Sequence, residues 1–271
     1  MLRRRHKNPK THPKARAVVP AAGSRRRARP DAPVPEHLKT PDAPPPQPPR
    51  APSPRGGAPL VLVTGFEPFE GEDTNPSWEV CKLLPAAIGR ARIEKLKVPC
   101  EFRRAIETVA HAIERSRPAL VICIGQAAGR PQLCMERVGI NIDDARVPDN
   151  TGAQPIDEAI APNGPPAYFA TLPIKAMVKA ARDAGVPAEV SNTAGTYVCN
   201  HLLYGVLHYI AASGLDARAG FIHVPYAEHQ VVTKPGQPSM PVATMARGVE
   251  AAIVAALEHT HDMKISEGKE T

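Results

Sequence analysis

The chain has 271 residues, 32 of them proline, and a formal charge of +7 that is divided unevenly along it. Residues 1–59 hold 14 Lys/Arg against 3 Asp/Glu, 15 prolines and no aromatic residue, whereas residues 60–271 hold 20 Lys/Arg against 24 Asp/Glu. The first stretch cannot bury enough apolar surface to offset its chain entropy, and no stretch approaches the ~18 uninterrupted apolar residues that would cross a membrane as a helix.

Residues 1–58 are therefore expected to form a disordered, proline- and arginine-rich basic extension, with runs such as Pro44-Pro45-Pro46 extended as polyproline. The clusters Arg3-Arg4-Arg5 and Arg25-Arg26-Arg27 give this extension the charge to touch nucleic acid or another acidic surface. The segment Ala17-Val18-Val19-Pro20-Ala21-Ala22 is too short for a secretory apolar core and contains proline. The plainer reading of the extension is a segment without a function of its own, so contact with nucleic acid is expected only through its charge.

From residue 59 the pattern becomes regular. Pro59-Leu60-Val61-Leu62-Val63-Thr64-Gly65-Phe66 is a continuous β-branched run ending at glycine, the mark of a strand buried on both faces. Asn75-Pro76 supplies a cap and a first-turn proline for a helix through Trp78, Val80, Cys81 and Leu84. A strand over 92–98 and a helix over 102–116 follow, and Ala119 to Gly125 is a second buried strand. A helix near 173–184, a strand near 188–192, a helix from Thr196, a strand at 219–225 and a helix at 241–259 complete the chain. Strands and helices alternate with short links. The expected architecture is a single three-layer α/β domain over 59–262, with a largely parallel twisted sheet and helices on both faces, then a polar segment 263–271.

Five cysteines stand at 81, 100, 123, 134 and 199. The odd count and the absence of Cys-x-x-Cys spacing disfavour a disulfide framework, a zinc ribbon and a dithiol redox site, and point to a reducing compartment. Cys81 and Cys123 fall among apolar neighbours and read as core thiols. Cys199 is placed differently. Thr196 is a candidate N-cap, which would put the thiol in the first turn of a helix, where the positive end of the dipole favours thiolate and free N–H groups can hold an oxyanion. A core thiol and a nucleophile both fit this position.

A nucleophile needs a base, and the chain has ten histidines. His201 and His208 lie about 200° and about 180° around an ideal helix from Cys199, so both are expected to point away from it and to be partly exposed. His223, in Gly220-Phe221-Ile222-His223-Val224-Pro225-Tyr226, sits in an apolar strand just before a proline, as a satisfied core histidine or as a base at the strand mouth. Gly125-Gln126-Ala127-Ala128-Gly129-Arg130 is a glycine turn off a buried strand, without the spacing of a dinucleotide or Walker loop. Beyond it, Glu136 could orient a histidine or could be half of a surface Glu–Arg pair.

Several stretches together resemble the pyroglutamyl peptidase family. They are Val63-Thr64-Gly65-Phe66-Glu67-Pro68-Phe69 with Asn75-Pro76, Ile124 to Arg130, Glu136-Arg137-Val138-Gly139-Ile140-Asn141, Asp144 to Asn150, Thr193 to His201, and Gly220 to Tyr226. The resemblance runs in order through 60–260. It implies a cysteine exopeptidase, an omega-peptidase of the cytosol, that removes an N-terminal pyroglutamate through a Glu136, Cys199, His223 triad. It further implies that Phe66 and Phe69 flank the lactam ring, that Gln126 and Asn75 belong to the substrate pocket, and that the Cys199 N–H and Arg146 hold the oxyanion. No metal or cofactor is required, peptides with N-terminal pyroglutamate are the substrates, and the family's homotetramers suggest a homo-oligomer. Another cysteine amidohydrolase on the same scaffold, or a binding protein tethered by its basic extension, are the competing readings. The chain departs from the family pattern at Glu70, at Ala128, at Cys134-Met135 and at Gly139, and in having the extension.

Overall fold

Leu60–Phe66 (β1) shows why a continuous apolar run implies two covered faces: Val61 and Val63 point into one core, Leu62 and Phe66 into another. The same alternation holds in Leu120–Gln126, where Leu120, Ile122 and Ile124 face one way and Val121 and Cys123 the other. These strands belong to a computed structural model that describes residues 57–268. The expected extension, apart from Gly57 and Ala58, and the last three residues of the C-terminal segment lie outside the described residues.

In chain order the elements are β1, α1 (Pro76–Leu83), β2 (Ala87–Ile88), β3 (Ala91–Val98), α2 (Arg104–Ser116), β4 (Leu120–Gln126), β5 (Leu133–Glu136), β6 (Val138–Ile140), β7 (Ala167–Phe169), α3 (Ile174–Asp183), β8 (Ala188–Ser191), α4 (Val198–Ala212), β9 (Arg218–Val224) and α5 (Val242–Glu258). The seven-stranded sheet has the order β2-β3-β1-β4-β9-β5-β8. β3, β1, β4 and β9 run parallel, while β5 is antiparallel to β9 and parallel to β8. Helices α1, α3 and α5 cover one face and α2 and α4 the other, which is the expected three-layer α/β fold. The sheet is mixed rather than uniformly parallel, because β5 reverses direction before β8 joins it. Each large core side chain buried this way contributes roughly 1.5–3 kcal/mol.

The helix ends show how local chemistry fixes the frame. Asn75 caps α1 as expected: its Oδ1 accepts the N–H and hydroxyl of Ser77 at 3.1 and 2.7 Å, and its Nδ2 donates to the Glu67 carbonyl at 3.0 Å. Ser77 Oγ in turn accepts the Phe66 N–H at 2.9 Å, fastening the start of α1 to the end of β1. Helix α3 begins after Pro173, which offers no side-chain cap, and the Asp262 carboxylate supplies one by accepting the N–H groups of Lys175 and Ala176. The expectation for α4 is corrected. The helix starts at Val198 with Tyr197 as N-cap, because the Thr196 hydroxyl donates instead to the Asp144 carbonyl at 2.8 Å. Cys199 still falls in the first turn, where its N–H has no intrahelical partner.

Candidate active site

Gly125, the sixth residue of β4, has a vacancy where a side chain would be, and two groups fill it. A Cβ built there would lie 2.9 Å from Cys199 Sγ and 2.7 Å from the Phe221 ring. Gly125 is the Cα partner of His223 in the parallel β4–β9 ladder, so the His223 side chain leaves the sheet on the face where the thiol rests. Phe221, two residues before it, shares that face, with ring centroids 4.8 Å apart. Strand β5 completes the group from the other side. Cys134 opposes His223, and Glu136, two residues on, reaches it: His223 Nδ1 donates to Glu136 Oε1 at 2.7 Å. The three residues singled out in the sequence are thus brought together by β4, β5, β9 and the start of α4.

Glu136 is fully buried and holds its charge nonetheless. Burial pushes its carboxyl up, but the hydrogen bond and charge of His223, with the Arg130 guanidinium, outweigh that and hold it below the usual carboxylate range. Arg130 Nη1 donates to the same Oε1 at 2.6 Å, and Nη2 donates to the Thr193 carbonyl at 2.9 Å. The Glu–Arg pair weighed as a surface feature therefore exists, but its carboxylate is inside the protein. The Cys199 thiol is pushed well up, first by burial, then by Cys100 and Glu136, with Arg130 opposing. By exposure, Cys199 itself is only half-buried. Cys81 and Cys123 are buried core thiols, as read from the sequence.

His201 does not approach the thiol, as its position on the helix predicts, but the expected exposure is corrected for it. It is buried, its Nδ1 donates to Asp143 Oδ2 at 2.8 Å, and its Nε2 accepts the Arg103 N–H at 2.7 Å. His208 is half-buried, with Nδ1 3.0 Å from the Tyr168 hydroxyl.

A model of the pyroglutamyl peptidase family matches residues 60–259. The chain belongs to that family. The pyrrolidone-carboxylate peptidase of Cupriavidus necator is 52% identical over 211 residues, covering 77% of this chain and 98% of the relative. The pyroglutamyl peptidase I structure from Bacillus amyloliquefaciens is 44% identical, with a TM-score of 0.74 over 76% of this chain and 99% of that one. The pyrrolidone carboxyl peptidase structure from Thermococcus litoralis is 40% identical, with a TM-score of 0.74 over 76% of this chain and 99% of that one.

Within this peptidase fold the remaining residues singled out in the sequence fall as follows. Phe66 is 2% exposed in the core, 6.4 Å from Phe221, while Phe69 is half-buried and tilted against Tyr197 at 6.1 Å. Gln126 is half-buried at the end of β4. The polar atoms of Asn75 are engaged in the cap and in fastening the loop that follows β1. Arg146 is exposed, in the segment that Tyr197 fixes through a 3.0 Å bond to the Pro148 carbonyl. Glu70 and Gly71 both have positive φ, 53° and 75°, and the Glu72 N–H bonds to the Phe69 carbonyl at 3.1 Å, a type I′ turn beside Phe69.

Sequence reasoning missed four residues that build the site. Arg130 carries no signal of its own beyond its place in a glycine turn. Tyr197 packs edge-on to Phe102 at 5.4 Å and faces Phe69, and its signal was an aromatic residue beside the cysteine. Asp149 takes N–H bonds from Phe102, Thr151 and Ala153, which outweigh burial and hold its carboxyl low. Gln230 has no local signal at all.

Proposed function

We propose that the protein is a cysteine exopeptidase that hydrolyses the amide bond after an N-terminal pyroglutamyl residue, with Cys199 as nucleophile, His223 as base and Glu136 as its orienting carboxylate. The observation that carries this is the bond from His223 Nδ1 to Glu136 Oε1 on the sheet face where Cys199 Sγ is seated. With its proton on Nδ1, the imidazole has its Nε2 lone pair free to take the thiol proton. Whether His223 takes that proton during attack or already holds it in a resting ion pair, the Sγ–C bond forms, the carbonyl oxygen takes the negative charge, and His223 is a cation beside Glu136. The N–H groups at the start of α4, that of Cys199 among them, and the Arg146 guanidinium hold the oxyanion. As the C–N bond breaks, His223 returns its proton to the leaving amine. Water then adds to the thioester with His223 again as base, and pyroglutamate and the free thiol are released.

The lactam is uncharged, so an aromatic surface with a few polar contacts suits it. Phe66 and Phe69 supply the faces, Gln126 supplies an amide for the ring, and Asn75 fastens the loop that carries the aromatics. The reaction needs no metal or cofactor. The catalytic domain occupies 59–262, between the basic extension 1–58 and the polar segment 263–271. The working assembly is a homotetramer of the cytoplasm, a reading that rests on the family resemblance and on the free cysteines. Among the described residues no helix is long and apolar enough to cross a membrane.

The test is hydrolysis of pyroglutamyl aminomethylcoumarin by the wild type and by Cys199→Ser. The expected outcome is turnover by the first and a loss of about three orders of magnitude or more in the second. Wild-type-like turnover by Cys199→Ser sinks the nucleophile assignment, and cleavage of a different aminoacyl amide in place of the pyroglutamyl one sinks the substrate assignment.

A further inference from the structure

Gln230 lies in the 3-10 turn Glu228–Val231 and is 4% exposed. Its Oε1 accepts the backbone N–H of Ala227 at 2.9 Å. A peptide N–H only donates, so this bond fixes which end of the amide is oxygen and which is nitrogen. The Nε2 then faces the other way, and every group it meets is an acceptor: Gln126 Oε1 at 3.0 Å, Glu72 Oε2 at 3.3 Å and the Thr74 carbonyl at 3.4 Å. The constraint passes on to Gln126. Its Oε1 is committed to Gln230, so its Nε2 is the end left to point elsewhere. Gln126 is the last residue of β4, one beyond the glycine on which Cys199 Sγ rests. An unconstrained glutamine has no such preference, because its amide ends are nearly equal in size and exchange by rotation about one bond.

We infer that Gln230 is a specificity-setting positioning residue, which locks the Gln126 amide with its NH2 outward so that the site offers a donor to the carbonyl of the substrate ring. This deepens the peptidase reading above and rests on Gln126 touching the lactam. A pyroglutamyl ring brings an acceptor to that donor. A prolyl ring brings a methylene and leaves the donor unpaired. With the amide reversed, oxygen would face oxygen and the preferred ring would be repelled. The anchoring N–H is backbone, so the polarity is set by the fold and relayed through two side chains.

The experiment measures kcat and KM separately for pyroglutamyl and prolyl aminomethylcoumarin amides in four variants. Gln230→Met removes the relay and is expected to raise KM for the pyroglutamyl amide about tenfold, with kcat within about threefold. Gln230→Glu still accepts the Ala227 N–H but presents oxygen to Gln126, turning that amide around. It is expected to raise KM further and to narrow the preference for pyroglutamyl over prolyl amide. Gln126→Leu is expected to match Gln230→Met, and the double variant Gln126→Leu/Gln230→Met to be no worse than Gln126→Leu alone, because one residue acts through the other. Melting temperature and the rate of Cys199 alkylation by iodoacetamide confirm that each variant is folded with its thiol in place. A wild-type KM in both Gln230 variants beside a raised KM in Gln126→Leu overturns the proposal alone, as does strict additivity in the double variant. A wild-type KM in Gln126→Leu removes the lactam contact and the proposal with it, and an inactive wild type removes the peptidase reading first.

Discussion

The pairs Glu136–His223 and Asp143–His201 are alike in almost every local respect. In each, a buried carboxylate accepts a hydrogen bond from Nδ1, at 2.7 Å in the first and 2.8 Å in the second, and each ring is 3% exposed. They differ at the other nitrogen. His201 Nε2 accepts the Arg103 N–H at 2.7 Å, so both ends of that imidazole are spent on structure. His223 Nε2 has no hydrogen-bond partner among the described residues and lies on the face where the thiol rests. The same dyad is a strut at His201, where the ring is closed off, and in the function proposed above it is a proton carrier at His223, where one lone pair is kept open. What His201 holds is itself under strain: Arg103 has φ 62° and ψ −56°, with the Arg104 N–H bonded to the Phe102 carbonyl at 2.7 Å in a γ-turn. That turn presents Phe102 to Tyr197, directly before α4, the helix that carries Cys199.

Exchanging the two histidines for alanine separates the roles. His223→Ala is expected to lower kcat by about three orders of magnitude while the protein stays folded, measured by coumarin release and thermal melting. His201→Ala is expected to do the reverse, costing about 2–3 kcal/mol of stability by leaving the Asp143 carboxylate and the Arg103 N–H without their partner, with kcat reduced far less. If His201→Ala loses activity as completely as His223→Ala at a temperature where it remains folded, the distinction fails.

Arg130 is the second difference, since among the described residues no guanidinium bonds to Asp143. Arg130→Ala is expected to lower kcat/KM about tenfold, because the thiol loses a neighbouring cation that opposes its rise. It also tests linkage. Glu136 is held below its ordinary value, so it contributes stability above about pH 4.3 that is lost as pH falls through its folded-state value. Without Arg130 that contribution shrinks. The melting-temperature gap between wild type and variant should be widest near neutral pH and should close as the pH drops below about 4. A gap that widens in acid contradicts the assigned sign. The smallest effect is expected in the turn beside Phe69, where Glu70→Gly relieves a positive φ and should raise stability by about 1 kcal/mol in chemical denaturation, leaving Glu136, Cys199 and His223 untouched.

The buried parallel strands and the helices that cover them were legible because each carries its own signal: two-sided apolar runs in β1 and β4, a cap and a proline at Asn75-Pro76. Strand β5 was not, since Leu133-Cys134-Met135-Glu136 is four residues with no alternation, and its place between β9 and β8 is set by pairing alone. That strand delivers Glu136, whose two readings, an orienting carboxylate or half of a surface ion pair, no strand signal could separate. Thr196 looked like a cap because a hydroxyl before a helix usually is one, but Asp144, 52 residues away, claimed it. The sequence makes His201 look partly exposed for the same reason in reverse: Asp143 stands 58 residues from it and nothing local announces the pairing. Side chains satisfied by their neighbours in sequence were readable, and those satisfied across the fold were not.

The seat at Gly125 ties the sheet to the chemistry. Sulfur and the Phe221 ring together occupy the volume that one methyl group would need, both within 3 Å of it. The identity of residue 125 and the seat of the Cys199 thiol are therefore interlocked, and an alanine at 125 would have to evict the sulfur or tilt the phenyl ring that lies beside His223. A residue with no functional group of its own thus decides where the thiol can be parked.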